Sequence, residues 1–271
     1  MFMRRVALGQ TAVLLLAALA SPAAGAPAAP QVWQADWELA RCTIATGDPA
    51  NLYLALWMTP GDPTPELFLV APAERLRGGG DKIDLTLAPA GKTIRASTIV
   101  RQGKAGAKII ELTDLGDDFP LAFAKASEVR FGGSSAPISV PVQGASKAMA
   151  ALNQCLDGKM REWGMDPRAY RALRSPPKSR VPGEIDWLGD DDYPGEAQNA
   201  GQEGDAVVRL SVDAKGDVTA CAVVASSGSK PIDEMTCRKA LRKARYIPAV
   251  GADGRPTAAM RTVRAKFRLI D

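Results

Sequence analysis

The chain has 271 residues, a formal charge of +4 and no histidine. That length suits one large domain or two small ones. The charge forms no dense basic block, which argues against nucleic acid as a partner, and the lack of histidine removes the usual zinc sites and every His-dependent triad.

Arg4 and Arg5 precede an apolar run, Val6 to Ala20, centred on Leu14-Leu15-Leu16. Ala18-Leu19-Ala20 has the small-residue spacing of a cleavage site; Ser21-Pro22-Ala23 and Ala24-Gly25-Ala26 are alternatives. Residues 1–26 therefore read as a secretory signal peptide cut between 20 and 26. The run falls short of the roughly 20 residues of a spanning helix. With Ala23 and Ala24 it stretches, so an uncleaved inner-membrane anchor is the alternative, and membrane contact is expected only if this N-terminus is retained.

Export places the four cysteines in an oxidising compartment, where they read as structural disulfides with three possible pairings. Cys42–Cys155 with Cys221–Cys237 is the favoured pairing, the second pinning a helix to a strand. Four buried thiols are the rival; without CxxC spacing or histidine, no metal is expected.

Residues 28–165 read as a β-rich domain closed by a helix. Expected strands are Trp37–Ala45, Leu52–Met58, Glu66–Ala71, Lys82–Leu87, Thr93–Val100, Lys108–Leu112, Leu121–Ala124 and Ile138–Val142, separated by turns such as Pro60-Gly61-Asp62-Pro63 and Gly78-Gly79-Gly80-Asp81. Short strands with such turns predict a sandwich or an open barrel. Trp33, Trp37 and Trp57 read as core or rim aromatics, with a carbohydrate platform as the sharper alternative. From Ala145 to about Gly164 the face Ala148, Ala151, Leu152, Cys155, Leu156 and Met160 predicts a helix, with Ser146 as its cap.

Residues 166–189 hold Pro167, Pro176, Pro177 and Pro182 and read as a solvated linker, with Trp187 and Leu188 docking on the C-terminal module. From 190 the pattern tightens. Ala206, Val208, Leu210 and Val212 alternate with polar residues, Gly216 supplies a turn, and a second strand runs from Val218 to about Ala225. Pro231 suits a first helical turn, Asp233 the positive helix end, and Pro248 stops the helix. A last strand alternates Val263, Ala265, Phe267 and Leu269 with Arg264, Lys266 and Arg268, which are expected on a wet, positively charged face. The fold class is thus α+β: a β-rich first domain, then a small antiparallel sheet packed by one helix.

No catalytic constellation stands out, and neither enzyme activity nor a cofactor is expected. Ser227-Gly228-Ser229-Lys230 fits the Ser-x-x-Lys spacing but lacks the partner motifs. Gly91-Lys92-Thr93 echoes a phosphate loop without its first glycine. Glu111, Asp114, Asp117 and Asp118 cluster near a strand end, and Asp190-Asp191-Asp192 reads as a solvated acidic turn.

The order and spacing of Tyr193-Pro194, Ala197, Gly204, Val208, Val212-Asp213, Gly216, Val218, Ser226-Ser227-Gly228, Asp233, Ala244 to Ala249, Gly254-Arg255-Pro256 and Phe267-Arg268-Leu269 resemble the C-terminal domain of the TonB energy-transducer family, over residues 190–271. The resemblance implies a small α/β unit that engages a segment of an outer-membrane transporter, in the periplasm of a Gram-negative bacterium. The residues it would use here are Val263, Arg264, Ala265, Lys266, Phe267, Arg268 and Leu269, by strand addition. The chain lacks the family's long Pro-rich spacer and the histidine in its apolar N-terminus. An exported binding module is therefore expected first. An anchored transducer is the alternative, and a structural or self-associating envelope protein is a further one.

Overall fold

The computed structural model describes residues 32–269 except 39, 76–80, 104–105, 133–137, 182–184 and 186. The signal-peptide reading and the glycine turn at 78–80 lie outside these residues, as does the side chain of Trp37.

Nine antiparallel strands form one large sheet: β1 (Trp33–Glu38), β2 (Arg41–Asp48), β3 (Leu52–Met58), β4 (Glu66–Pro72), β5 (Lys82–Ala88), β6 (Lys92–Gln102), β7 (Ala107–Thr113), β8 (Glu128–Phe131) and β9 (Ile138–Pro141). Their order is β1-β2-β3-β4-β7-β6-β5-β8-β9. Where a sandwich or an open barrel was expected, the strands make one large antiparallel sheet that does not close into a barrel. The Trp33 indole N–H donates to the Gln143 carbonyl at 2.8 Å, bringing the first strand back towards the chain that leaves the last.

Alternation decides which side is core. Ile44, Leu54, Leu56, Leu67, Leu69, Leu85, Leu87 and Leu112 point to one face and are fully buried. Helices α1 (Phe119–Ala124) and α2 (Ala145–Glu162) supply the rest of that core through Phe119, Phe123, Leu152 and Leu156. Each buried phenylalanine contributes about 2–3 kcal/mol of transfer free energy. The Cys42–Cys155 disulfide ties β2 to α2, with Cα atoms 6.0 Å apart.

Three local expectations are corrected. Trp37–Ala45 is not one strand: it takes in the end of β1 and the start of β2, which pair as a hairpin with Glu38 opposite Arg41. Leu121–Ala124 is the end of α1: Pro120 suits a first turn, and Phe119 and Phe123, four apart, share its buried face. Ser146 does not cap α2; the cap is Gly144, whose φ of 82° favours glycine.

The segment after α2 is not a free solvated linker. It contains α3 (Pro167–Arg171), capped by the Asp166 carboxylate accepting from the Arg168 N–H, and β10 (Lys178–Ser179). Trp187 is buried, and its indole N–H donates to the Tyr246 hydroxyl at 3.1 Å. A short α4 (Gly195–Asn199) comes next, too brief to show a period in the sequence.

Beyond it lie β11 (Gly204–Val212), β12 (Val218–Ala225) and α5 (Lys230–Lys243). Three two-residue strands come after α5: β13 (Tyr246–Ile247), which pairs with β10, then β14 (Ala249–Val250) and β15 (Pro256–Thr257), which pair with each other. The chain closes with β16 (Ala259–Phe267). The small sheet has the order β12-β11-β16. Helix α5 covers one face through Ile232, Met235 and Ala240, with its C-cap Ala244, and the Cys221–Cys237 disulfide joins it to β12. Gln31–Asp271 makes one compact unit. Among the described residues no helix is long and apolar enough to cross a membrane.

Candidate functional site

Strand β16 is an edge strand. It pairs with β11 along nine residues, from Ala259 opposite Val212 to Phe267 opposite Gly204. Val263, Ala265 and Phe267 are buried on the side of α5. The backbone parity is fixed by Thr262, whose N–H points away from β11 and donates to the Gly61 carbonyl at 3.1 Å. With period two, the N–H groups of Arg264 and Lys266 point the same outward way. Among the described residues no backbone acceptor meets those two.

The family-pattern residues build the frame around this strand. The Tyr193 ring meets Phe267 edge-on at 5.4 Å, and its hydroxyl donates to the Gln202 carbonyl at 2.6 Å. Pro194 begins α4. Gly204 lets the chain pass the loop before α5, since a Cβ there would lie 2.1 Å from the Ser227 carbonyl oxygen. Asp233 does more than favour the helix dipole: its carboxylate accepts from the Ser226 hydroxyl at 2.5 Å, the Ser227 hydroxyl at 2.7 Å and the Ser227 N–H at 2.8 Å, which fixes Ser226-Ser227-Gly228. Pro248 separates β13 from β14.

The expected wet face of β16 is corrected by the structure. Arg264 lies against the outer face of the large sheet, with its side chain only 6% exposed, and pairs with Glu66 at 2.9 Å. Lys266 pairs with Glu111 of β7 at 3.3 Å. Arg268 remains at the surface and pairs with Asp205 at 2.7 Å. On the same face Val207 and Thr262 are fully buried, and the Arg209 guanidinium donates to the Trp163 carbonyl. This face of the small sheet is therefore met by the β3–β4 turn, by Glu66 and Glu111 of the large sheet and by the chain just after α2, while α5 covers the other. Gly61 permits the close approach at the β3–β4 turn: its φ is 77°, and an added Cβ would lie 2.6 Å from Met165 Cε.

A cleft of about 900 Å³ opens beside β16. Trp57, Glu66, Ile99 and Glu111 of the large sheet line it on one side, and Val263, Arg264 and Lys266 on the other, with Ile185 and Leu188 at one end. The guanidinium of Arg41 stacks on Trp57 at 3.9 Å, and Trp57 leans on Phe68 with ring centroids 3.8 Å apart. Trp57 thus belongs to the cleft rim rather than to the main core. Asp62, Glu66, Gly61 and Thr262 were not legible as site residues. Their partners lie about two hundred positions away in the chain, and the stretch around Asp62 looks like an ordinary turn.

The catalytic candidates do not converge. Ser227 is held by Asp233, while Lys230 reaches out to Glu234 at 3.6 Å. Lys92 of the Gly91-Lys92-Thr93 stretch pairs with Asp118, Asp117 pairs with Lys178, and Asp114 accepts from the Ser97 hydroxyl at 2.7 Å. Each carboxylate of that cluster has its own partner. Asp192 pairs with Lys239 of α5, and hydrogen bonding from that ammonium lowers its carboxyl below the ordinary aspartate value. No group of three or more His, Cys, Asp or Glu is placed to hold a metal ion among the described residues.

No curated protein and no solved structure matches the chain. Residues 190–269 match the family model described as the Gram-negative bacterial TonB protein C-terminal, and this part of the chain resembles that domain.

Proposed function

We propose that this chain is an exported protein of the Gram-negative envelope that captures an extended segment of a partner protein along the edge of β16. The observation that carries the proposal is the pair of outward backbone N–H groups at Arg264 and Lys266, beside a cleft of about 900 Å³. Main-chain hydrogen bonds supply affinity in such pairing, and side chains on alternate positions supply selectivity. The TonB resemblance supports a segment of an outer-membrane transporter as the partner. The apolar N-terminal run and the two disulfides support export to the periplasm.

A second reading is favoured by a specific contact. The burial of Arg264 against Glu66 suits a module that packs on its own large sheet and binds nothing else. Lys266→Pro separates the two. Proline at this position removes an outward N–H but none of the bonds to β11. Capture of a synthetic strand of alternating valine and glutamate should be abolished in the variant, with both disulfides and the fold retained. Unchanged affinity in the folded variant overturns the edge assignment, and absence of capture by the unaltered protein supports the self-packed reading.

A further inference from the structure

Each of the cations Arg261, Arg264 and Lys266, which β16 presents towards the cleft, is met by a carboxylate from the large-sheet side. Arg261 pairs with Asp62 at 3.3 Å, Arg264 with Glu66 at 2.9 Å and Lys266 with Glu111 at 3.3 Å. The backbone is met as well. The Gly61 carbonyl takes the Thr262 N–H that an added strand would use, and the Pro60 carbonyl takes the Thr262 hydroxyl. We infer that the β3–β4 turn and the acidic row Asp62, Glu66 and Glu111 close β16 in cis, in the place of an acidic extended partner segment that must displace the turn to pair along the whole strand. This rests on the strand-addition reading of β16.

Three features favour a displaceable closure with this charge preference. The side chains of Arg261 and Arg264 are 10% and 6% exposed, so a neutral segment that displaced Asp62 and Glu66 would take each buried charge from its nearest carboxylate, leaving Arg261 to the Pro177 carbonyl and Arg264 to Asp205 at 3.9 Å. A segment with carboxylates at alternate positions replaces those of Arg264 and Lys266, two apart on one face of β16, because residues opposite one another on neighbouring strands face the same way; Arg261 lies on the other face, outside that row. The closed arrangement is also incompletely satisfied. Among the described residues, the Tyr170 hydroxyl and Arg261 Nε are both buried without a hydrogen-bond partner, and that hydroxyl lies within electrostatic reach of Asp62, Arg261 and Asp117. Finally, Ile185, Leu188 and Val263 line the cleft, which suits apolar residues at the intervening positions of the incoming segment.

The test compares the full chain with its D62N/E66Q/E111Q variant, using two synthetic peptides of alternating valine and glutamate or valine and glutamine. Hydrogen exchange at the Thr262 amide is read in parallel, without peptide. The variant should lose protection at Thr262. It should bind the glutamate peptide about tenfold more tightly than the unaltered chain does, because the fraction with an open edge rises, and it should favour that peptide over the glutamine one. An unchanged Thr262 amide with unchanged affinity in a folded variant overturns the closure. Equal or stronger binding of the glutamine peptide overturns the acidic partner. If Thr262 loses protection but neither peptide binds either protein, the strand-addition reading fails while the closure stands. Should the triple variant not fold, Glu66→Gln alone is read in the same way.

Discussion

The Gly216 carbonyl accepts the Tyr246 N–H at 2.9 Å, and a Cβ added to Gly216 would lie 2.0 Å from the Tyr246 carbonyl oxygen. The turn after β11 is therefore locked to the strand after α5 by a backbone approach that only glycine allows. Its φ of 91° adds a second requirement of the same kind. Gly216→Ala should cost at least about 3 kcal/mol, because strain at positive φ adds to a clash with backbone that cannot swing aside. Urea unfolding followed by tryptophan fluorescence would measure it, with Trp187, hydrogen-bonded to Tyr246, among the five reporters. A loss below about 1 kcal/mol would mean that the turn relaxes.

The two disulfides close loops of very different size, with sequence separations of 113 for Cys42–Cys155 and 16 for Cys221–Cys237. In the chain-entropy view the longer loop stabilises more, about 4–5 against about 3 kcal/mol. Cys42→Ala/Cys155→Ala should therefore lower stability more than Cys221→Ala/Cys237→Ala, as read from denaturant midpoints. The reverse order would place the main effect in the native packing of α5 on β12 rather than in the unfolded chain.

Acid should loosen the docking of the Asp192 turn on α5. Hydrogen bonding from Lys239, and then from the Gly189 N–H, lowers the Asp192 carboxyl in the folded state. A lowered folded value contributes stability that is present above the unfolded value near pH 4 and is lost as pH falls through the folded one. Asp192→Asn should cost about 1 kcal/mol at neutral pH, and the gap between variant and parent should narrow below about pH 4. A gap that stays constant down to acid unfolding would remove the ion pair as its cause.

Legibility in the sequence tracks the range of the interactions. Ile83, Leu85 and Leu87 alternate with polar residues, and β5 lies there because burial of one face imposes period two. The small sheet was legible for the same reason, helped by Pro231, Gly216 and Pro248 at its joins. The β1–β2 hairpin was missed because Leu39-Ala40 carries none of the usual turn chemistry. Helix α1 was missed because six residues hold too few turns to show a period. The site divides along the same line. β16 was found from its own alternation, but its charged face was read as wet because Glu66 and Glu111 reach it from far along the chain. A cation that alternates on a strand looks identical whether water or a second sheet lies opposite.

The ladder between β11 and β16 runs nine residues without a break in register. A segment bonded along the outer edge of β16 and drawn along its own axis would load the rungs of that ladder together, in shear, instead of peeling them one by one. Behind β11 stands β12, and Cys221 fastens β12 to α5 by a covalent bond. Tension arriving at this edge therefore crosses hydrogen bonds only as far as β12, and from there reaches the helix through sulfur.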